Sequence, residues 1–176
     1  MKKSIVLPII LCLTVFMVVK AADDSAVEVT KKPQTDEEKV VSAVSKVAGQ
    51  TVKPKQARKV LIFSRTMGYR HRSIGLGKKT LALLGKESGA YEVVVSDDLA
   101  NFEKPAIDQF DAICFLNTTL NVFGSAKKPE TKEAQKEAKT REARLKKNLA
   151  IYVAGGKGFI GIHAATDTFY EWPEYG

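Results

Sequence analysis

Cysteine and histidine are scarce in this chain of 176 residues, which contains two of each. Cys12 lies in an apolar segment near the N-terminus that we expect to be removed, so Cys114 would be the only cysteine of the mature chain. A single cysteine excludes an intrachain disulfide, even in an oxidising compartment. The stability of the fold must therefore come from a buried apolar core.

Long hydrophobic runs are also lacking, apart from residues 5–19. Hydrophobic residues make up 44% of the chain and charged residues 27%. This composition excludes the disordered, collagen-like and multi-pass membrane classes of protein. Length and composition together favour one soluble domain.

The first 21 residues have the pattern of a cleaved export signal. Two lysines precede the apolar run 5–19, and Ala21 ends a small-residue cleavage pattern. The run is shorter than the roughly 20 apolar residues that cross a membrane, which favours a cleaved signal over an anchor. Leu11 stands before Cys12 where a lipoprotein signal needs a small residue. We predict export to the periplasm or the extracellular space, with no stable membrane anchor.

The net charge of +8 raises the question of a nucleic-acid partner. Three lysines lie in the predicted signal, and their removal would lower the net charge from +8 to +5. Residues 125–147 hold nine Lys or Arg and four Glu, so the rest of the mature chain is close to neutral. Because no aromatic residues are interleaved with these charges, we predict no nucleic-acid partner. A role at another anionic surface stays open.

Residues 22–57 are polar and contain two prolines, which predicts a flexible linker. Within it, Val40, Val44 and Val47 recur at helical spacing over 36–48. The sequence leaves open whether this short helix docks on the domain or frays in solvent.

From Lys59 onward, apolar β-branched runs alternate with segments of helical spacing. This alternation predicts an α/β fold with a doubly wound parallel sheet and right-handed crossovers. The predicted strands are 59–65, 91–97, 111–119 and 158–163. The predicted helices are 74–84, 105–110 and one whose inner face carries Leu145, Leu149, Tyr152 and Val153.

A charged segment at 125–144 precedes the last helix. Glu137 and Arg141, like Glu142 and Lys146, are spaced four residues apart, as in ion pairs on a helix. We therefore predict a solvated helical extension.

Polar side chains collect where the predicted strands end. His71 follows the first strand, Asn117 ends the third, and His163 and Asp167 follow the fourth. In an open parallel sheet, ligands bind beyond the carboxyl ends of the strands. We therefore expect both histidines of the chain to converge on one cavity.

Three stretches resemble the ThuA-like (trehalose-utilisation) domain family: KVLIFSRTMGYRHRSI at 59–74, FDAICFLNTT at 110–119 and GGKGFIGIHAATDTFYEWPEYG at 155–176. The likeness covers 59–176 apart from the charged insertion. It implies a fold similar to class I glutamine amidotransferases, a flavodoxin-like three-layer sandwich. It also implies a role in sugar metabolism, with trehalose and other glycosides or keto-sugars as substrates. His71, His163, Asp167 and Trp172 match its motifs.

One departure from the amidotransferase pattern distinguishes a glutaminase from an enzyme that acts on carbohydrate. The nucleophile elbow of amidotransferases reads like Gly-Ile-Cys, whereas this chain has Gly161-Ile162-His163. An imidazole cannot form the thioester that glutamine hydrolysis requires, and Cys114 stands within an apolar strand. We therefore expect no glutaminase activity and, if the domain is catalytic, a hydrolase-like enzyme that acts on carbohydrate.

A histidine at the elbow suits general acid or base chemistry, because imidazole exchanges protons near neutral pH. Asp167, four residues on, would share a helical face with His163 and orient its imidazole. Alternatives are a metal held by His71, His163 and Asp167, or a hydrogen-bonded pocket histidine without catalysis. The sequence leaves the cofactor unknown.

Other side chains at this edge are candidates for substrate contact. They are Arg65, Thr66, Ser73, Asn117, Thr118 and Trp172. Trp172 and Tyr170 suit stacking on a sugar ring or plain packing, whereas Asn117 and Thr118 suit hydrogen bonds to hydroxyls or loop capping. Arg65, with its neighbours Arg70 and Arg72, suits an anionic group or a solvated turn.

ThuA-like domains continue beyond the position that matches Gly176, so we expect this chain to be a fragment or a truncated product. The last strand would then be an unpaired edge, which favours self-association. A non-catalytic sugar-binding or interaction module is the alternative function.

Overall fold

The computed structural model describes residues 34–50 and 54–175. The predicted export signal at 1–21 and the first part of the predicted linker lie outside the described residues. None of the helices within the described ranges is long and apolar enough to cross a membrane.

Strands and helices alternate along the described chain, as predicted. The strands are β1 Lys59–Phe63, β2 Glu92–Val95, β3 Ala112–Leu116 and β4 Gly158–Ile162. The α-helices are α1 Asp36–Ala48, α2 Ser73–Ser88 and α3 Lys132–Ala154. Short 3₁₀ helices cover Leu99–Phe102, Ala106–Gln109 and His163–Asp167.

Each strand is shorter than its predicted range, because the polar residues at its end leave the ladder. After β1, the N–H of Ser64 donates to the Asp97 carboxylate at 2.7 Å. After β3, Asn117 adopts a φ of 52°, which ends the extended backbone.

The sheet is parallel throughout, with strand order β2-β1-β3-β4. From β1 the chain crosses to β2 on one side and then returns to β3 on the other. Val60 lies opposite Ala112, and Ala112 lies opposite Gly158. The predicted doubly wound α/β architecture is confirmed, and its switch point lies between β1 and β3.

Alternate residues of the central strands pack on opposite faces of the sheet. The larger core contains Leu61, Phe63, Ile113 and Phe115 with Leu145, Leu149 and Tyr152 of α3. The smaller core contains Val60, Ile62, Cys114 and Leu116, with Leu81 of α2 packed against them. Burial on both faces explains why β1 and β3 are continuous apolar runs.

Helix α1 packs against α2, which decides the question that the sequence leaves open. Thr35 and Glu38 form a capping box at its N-terminus. Val44 is buried, but Val47 is 46% exposed, so the predicted apolar face is only partly used.

Helix α3 is one continuous helix of 23 residues that includes most of the predicted charged extension. Glu142 and Lys146 form the predicted ion pair at 2.7 Å. The predicted pair of Glu137 with Arg141 is wrong: no ion pair of the described chain includes Arg141. Val153, predicted to face inward, is 42% exposed.

Strand β4 is an edge of the described sheet, because its only strand partner there is β3. Ile160 in this strand is 47% exposed. Self-association through this edge stays a prediction.

Gly85 of α2 is expected to tolerate no side chain. A Cβ at this position would lie 2.7 Å from Cγ2 of Val93 and 2.9 Å from the carbonyl oxygen of Tyr91. Gly85→Ala should lower the free energy of unfolding by about 1–3 kcal/mol, because the helix must move away from β2. Urea denaturation measures the change.

Gly75 in the same helix provides the matched control for Gly85. A Cβ there would meet nothing within 4 Å, so Gly75→Ala should raise the stability by about 0.5–1 kcal/mol through helix propensity. Equal effects of the two substitutions would contradict the proposed close packing of α2 on β2.

Candidate functional site

The two histidines meet at the carboxyl edge of the sheet. His71 lies in the loop between β1 and α2, and His163 directly follows β4. Their ring centroids are 4.6 Å apart and the rings are nearly perpendicular, at 83°. Tyr69 makes a similar edge contact with His71 at 4.8 Å. His163 is exposed and His71 is half-buried, so solutes in water have access to the pair.

His163 has an unusual backbone conformation. Its φ of 54° lies in the left-handed region, which is costly for a residue with a Cβ. This conformation allows the chain to turn sharply from β4 into the 3₁₀ helix His163–Asp167. Nucleophile elbows use a strained strand-to-helix turn of this kind to present a reactive side chain. A cost of roughly 1–3 kcal/mol at such a position is typical of functional sites.

Asn117 connects the segments that carry the two histidines. Its backbone N–H donates to the Ile162 carbonyl at 3.1 Å, and its side-chain Nδ2 donates to Ser73 Oγ at 2.8 Å. Ile162 precedes His163, and Ser73 lies two residues after His71. Asn117 is buried, so its internal bonds position this edge of the sheet.

Two predicted contact residues take part in bonds between strand ends. Thr118 is fully buried, and its Oγ1 lies 2.8 Å from Thr168 Oγ1. Thr66 forms an isolated parallel bridge with Thr119. The bond between Thr118 and Thr168 gives Thr118 an internal partner where a sugar hydroxyl was expected.

Arg65, another predicted contact residue, donates from Nη1 to the Val122 carbonyl. Burial lowers the pKa of this guanidinium, and the neighbouring charge of Arg141 lowers it further. Arg70 and Arg72, by contrast, are exposed. Arg65 is therefore partly buried and hydrogen-bonded, unlike the two exposed arginines of the same loop.

Trp172 packs with aromatic residues that follow β4. Its ring lies 5.1 Å from Phe169, edge to face, and is stacked at 6.0 Å from Tyr175. Trp172 and Tyr170 also line a groove of about 670 Å³ beside β4. Trp172 therefore has both roles that the sequence leaves open: it packs, and it borders a groove.

Asp167 does not contact either histidine through a hydrogen bond or an ion pair of the described chain. The turn from His163 is a 3₁₀ helix, in which residues three apart lie above one another. Thr166, three residues on, accordingly donates from Oγ1 to the His163 carbonyl at 3.4 Å. The predicted orientation of His163 by Asp167 would need α-helical spacing.

The metal alternative lacks a third donor. Among the described residues, no group of three His, Cys, Asp or Glu side chains is arranged to hold a metal ion. His71 and His163 are therefore a pair without the carboxylate that the proposed ligand set requires.

Asp97 is a residue of this edge that the sequence reasoning missed. Its carboxylate accepts from the N–H of Ser64 at 2.7 Å and from Lys78 Nζ at 2.8 Å. These bonds join the ends of β1 and β2 to α2. The signal for it was an acid directly after an apolar strand, at the edge where ligands bind.

Asp97→Asn is expected to remove a contribution to the free energy of unfolding that depends on pH. Burial raises the pKa of Asp97, but hydrogen bonds from Lys78 and Ser64 outweigh burial, and the pKa is lowered overall. A carboxyl with a lowered folded-state pKa stabilises the fold above its unfolded pKa of about 4, and this contribution disappears as the pH falls through the folded pKa.

We expect Asp97→Asn to be less stable than the wild type by about 1 kcal/mol at pH 7. The difference should shrink below about pH 4, as measured by urea denaturation at pH 7, 5 and 3. Glu174→Gln, the same charge change at an exposed residue, is the control. A difference that persists unchanged at pH 3 would contradict this role of Asp97.

Cys114 does not qualify as a nucleophile. It lies in the middle of β3 and is 2% exposed. Burial raises the pKa of its thiol to about 11, which keeps the thiol protonated at neutral pH. With His163 at the elbow, the site has no cysteine for the amidotransferase reaction.

Comparison with known proteins supplies the family. A family model described as trehalose utilisation, ThuA, matches residues 59–176, more than half of the chain. No curated protein and no solved structure matches the chain. ThuA domains have a glutamine amidotransferase-like fold, in agreement with the parallel sheet described above. This chain therefore belongs to the ThuA, or trehalose-utilisation, family.

Proposed function

We propose that this domain performs acid–base chemistry on a carbohydrate, and that His71 and His163 transfer the protons. Trehalose, related glycosides and keto-sugars are the proposed substrates. The observation that carries the proposal is the pair of imidazoles 4.6 Å apart at the ligand-binding edge of the sheet. Membership in the trehalose-utilisation family supports the substrate class.

The two imidazoles suit a hydrolase-like step. One imidazole gives a proton to the glycosidic oxygen as its C–O bond breaks, and the proton that the attacking water loses passes to solvent. The second imidazole, in contact with the first, resupplies the transferred proton. The water oxygen bonds to the anomeric carbon, so the proton count balances. Ser73 and Thr66, which lie in the segments on either side of His71, are proposed contacts for sugar hydroxyls. The absence of a nucleophilic thiol at the elbow supports a reaction other than glutamine hydrolysis.

A non-catalytic sugar-binding module is the second candidate function. The aromatic groove beside β4 favours it, because Trp172 and Tyr170 both line that groove. Aromatic faces stack on the apolar faces of sugar rings and need no chemistry to do so.

A substrate screen separates the two functions. The chain is incubated with trehalose, other disaccharides and their 3-keto forms, and products are measured by chromatography while melting temperatures are recorded. Product formation is the result that the proposed function requires. A rise in melting temperature without any product would favour the binding module.

We also propose that the protein is exported. The proposal is supported by the charged start, the short apolar run and the small-residue cleavage pattern of residues 1–21. N-terminal sequencing of the protein recovered outside the cytoplasm, with Ala22 as the expected first residue, tests it.

A further inference from the structure

Tyr69 is an exposed aromatic residue beside the two histidines, and the proposed reaction does not yet use it. The residue is 68% exposed. Its ring meets the ring of His71 edge to face, with the centroids 4.8 Å apart and an angle of 86°. His71 in turn contacts His163 at 4.6 Å. Tyr69 therefore stands next to the proposed proton-transfer groups, and most of the residue is open to a bound molecule.

The backbone around Tyr69 is held in place by Thr119, which follows β3. The N–H of Met67 donates to the Thr119 carbonyl at 3.0 Å. Thr119 Oγ1 accepts from the N–H of Gly68 at 3.3 Å and donates to the Tyr69 carbonyl at 3.2 Å. Thr119 is 1% exposed, so water competes little for these bonds. They join the loop after β1 to the end of β3.

Tyr69 thus combines a fixed main chain with an exposed ring. Among the described residues, it is hydrogen-bonded through its carbonyl oxygen and not through its hydroxyl. A single exposed aromatic residue needs no explanation by itself. This one lies at the carboxyl edge of a parallel sheet, where ligands bind, and binding sites are commonly lined by aromatic rings. Its ring offers a ligand an apolar surface whose position is set by the loop.

A pyranose ring is the part of a glycoside that suits this surface. Its C–H groups form apolar faces that pack on an aromatic ring, while its hydroxyls stay in water. The proposed reaction places the glycosidic oxygen at the imidazole that donates the proton. In a disaccharide, a sugar ring begins one bond from this oxygen on either side. Because Tyr69 contacts His71 directly, one of these two sugar rings lies within reach of the Tyr69 ring.

We propose that Tyr69 binds a disaccharide by stacking on one of its sugar rings while the glycosidic oxygen lies at His71 and His163. This inference rests on the proposed function, because it needs a glycoside at the two histidines. It makes Tyr69 a substrate-binding residue and not a proton-transfer group. The binding-module alternative instead assigns the sugar to the groove that Trp172 and Tyr170 line.

Calorimetric titration of the full chain with trehalose tests the contact without any need for turnover. His163→Ala serves as the parent protein, so that trehalose stays intact during the titration. Adding Tyr69→Ala should weaken trehalose binding about three- to tenfold, the typical value of one aromatic contact. Adding Tyr69→Phe should leave the affinity unchanged, because stacking does not need the hydroxyl. Sorbitol, which has hydroxyls but no ring, should give no signal.

Tyr170→Ala is the matched control, because Tyr170 is 69% exposed and lines the groove of the alternative function. It should leave the affinity for trehalose unchanged. With the wild-type histidines and the substrate identified in the screen, Tyr69→Ala should raise KM about three- to tenfold and keep kcat, as expected for a contact made equally in the ground state and the transition state. Tyr69→Ala should melt close to the wild-type temperature, which separates a loss of binding from a loss of fold.

Three outcomes would overturn the assignment of Tyr69. They are a trehalose affinity that does not depend on the Tyr69 ring, an equal loss of affinity in Tyr69→Phe, or a larger loss in Tyr170→Ala. Product formed with an unchanged KM in Tyr69→Ala would refute the contact and leave the acid–base chemistry intact. Trehalose binding that depends on Tyr69, without product from the wild type, would refute the chemistry and leave the contact intact.

Discussion

Replacing His163 by glycine is expected to lower turnover strongly and, at the same time, to raise the stability of the domain. Glycine adopts a positive φ without penalty, whereas the φ of 54° at His163 costs other residues about 1–2 kcal/mol. The greater chain entropy of unfolded glycine offsets part of this gain, and about 0.5–1 kcal/mol should remain. Loss of a proton-transfer group should lower kcat by about 10²–10⁴-fold.

His163→Ala provides the control, because it removes the imidazole but keeps the Cβ at the strained position. It should lose turnover to the same extent and gain no stability. Thermal and urea denaturation measure the stability, and the substrate identified in the screen measures turnover. Wild-type turnover in His163→Gly would refute the proposed chemistry, and a glycine variant less stable than the alanine variant would refute the strain.

Phe115→Ala is expected to lower the free energy of unfolding by about 3–5 kcal/mol. Phe115 is fully buried in the larger core. Its ring centroid lies 5.2 Å from Phe63 and 5.0 Å from Phe159, which connects β3 with both neighbouring strands. Since domains are stable by about 5–15 kcal/mol, this one change should bring the protein close to unfolding.

Urea denaturation followed by circular dichroism measures the Phe115→Ala effect. Tyr170→Ala is the control, because Tyr170 is 69% exposed and its loss should change the stability by no more than about 0.5 kcal/mol. A Phe115→Ala variant within about 1 kcal/mol of the wild type would show that the aromatic core is not the main source of stability.

In this chain, the spacing of apolar residues predicts where strands and helices lie better than it predicts which side chains are buried. The apolar run at 111–119 predicted strand β3, and residues of α3 and α2 pack against its two faces. Val47 and Val153 also matched helical patterns, yet both are more than 40% exposed. A pattern reports which face of a helix is apolar, but the packing of other elements decides how much of that face is covered.

At the candidate site, too, the sequence predicted some features and the packing of distant elements decided others. The loop positions of His71 and His163 followed from the strand ends, and parallel strands place such loops at one edge. The hydrogen bonds of Asp97 with Ser64 and Lys78 were not predicted. Those contacts join segments that lie far apart in the chain.

The amino-acid sequence alone determined the order of strands and helices, the parallel sheet and the edge on which both histidines lie, because these follow from local apolar patterns and from the handedness of crossovers. Only the tertiary structure decided the 4.6 Å contact of the imidazoles and the positive φ of His163. Such features depend on how distant elements pack against one another, and local residue patterns do not encode those distances.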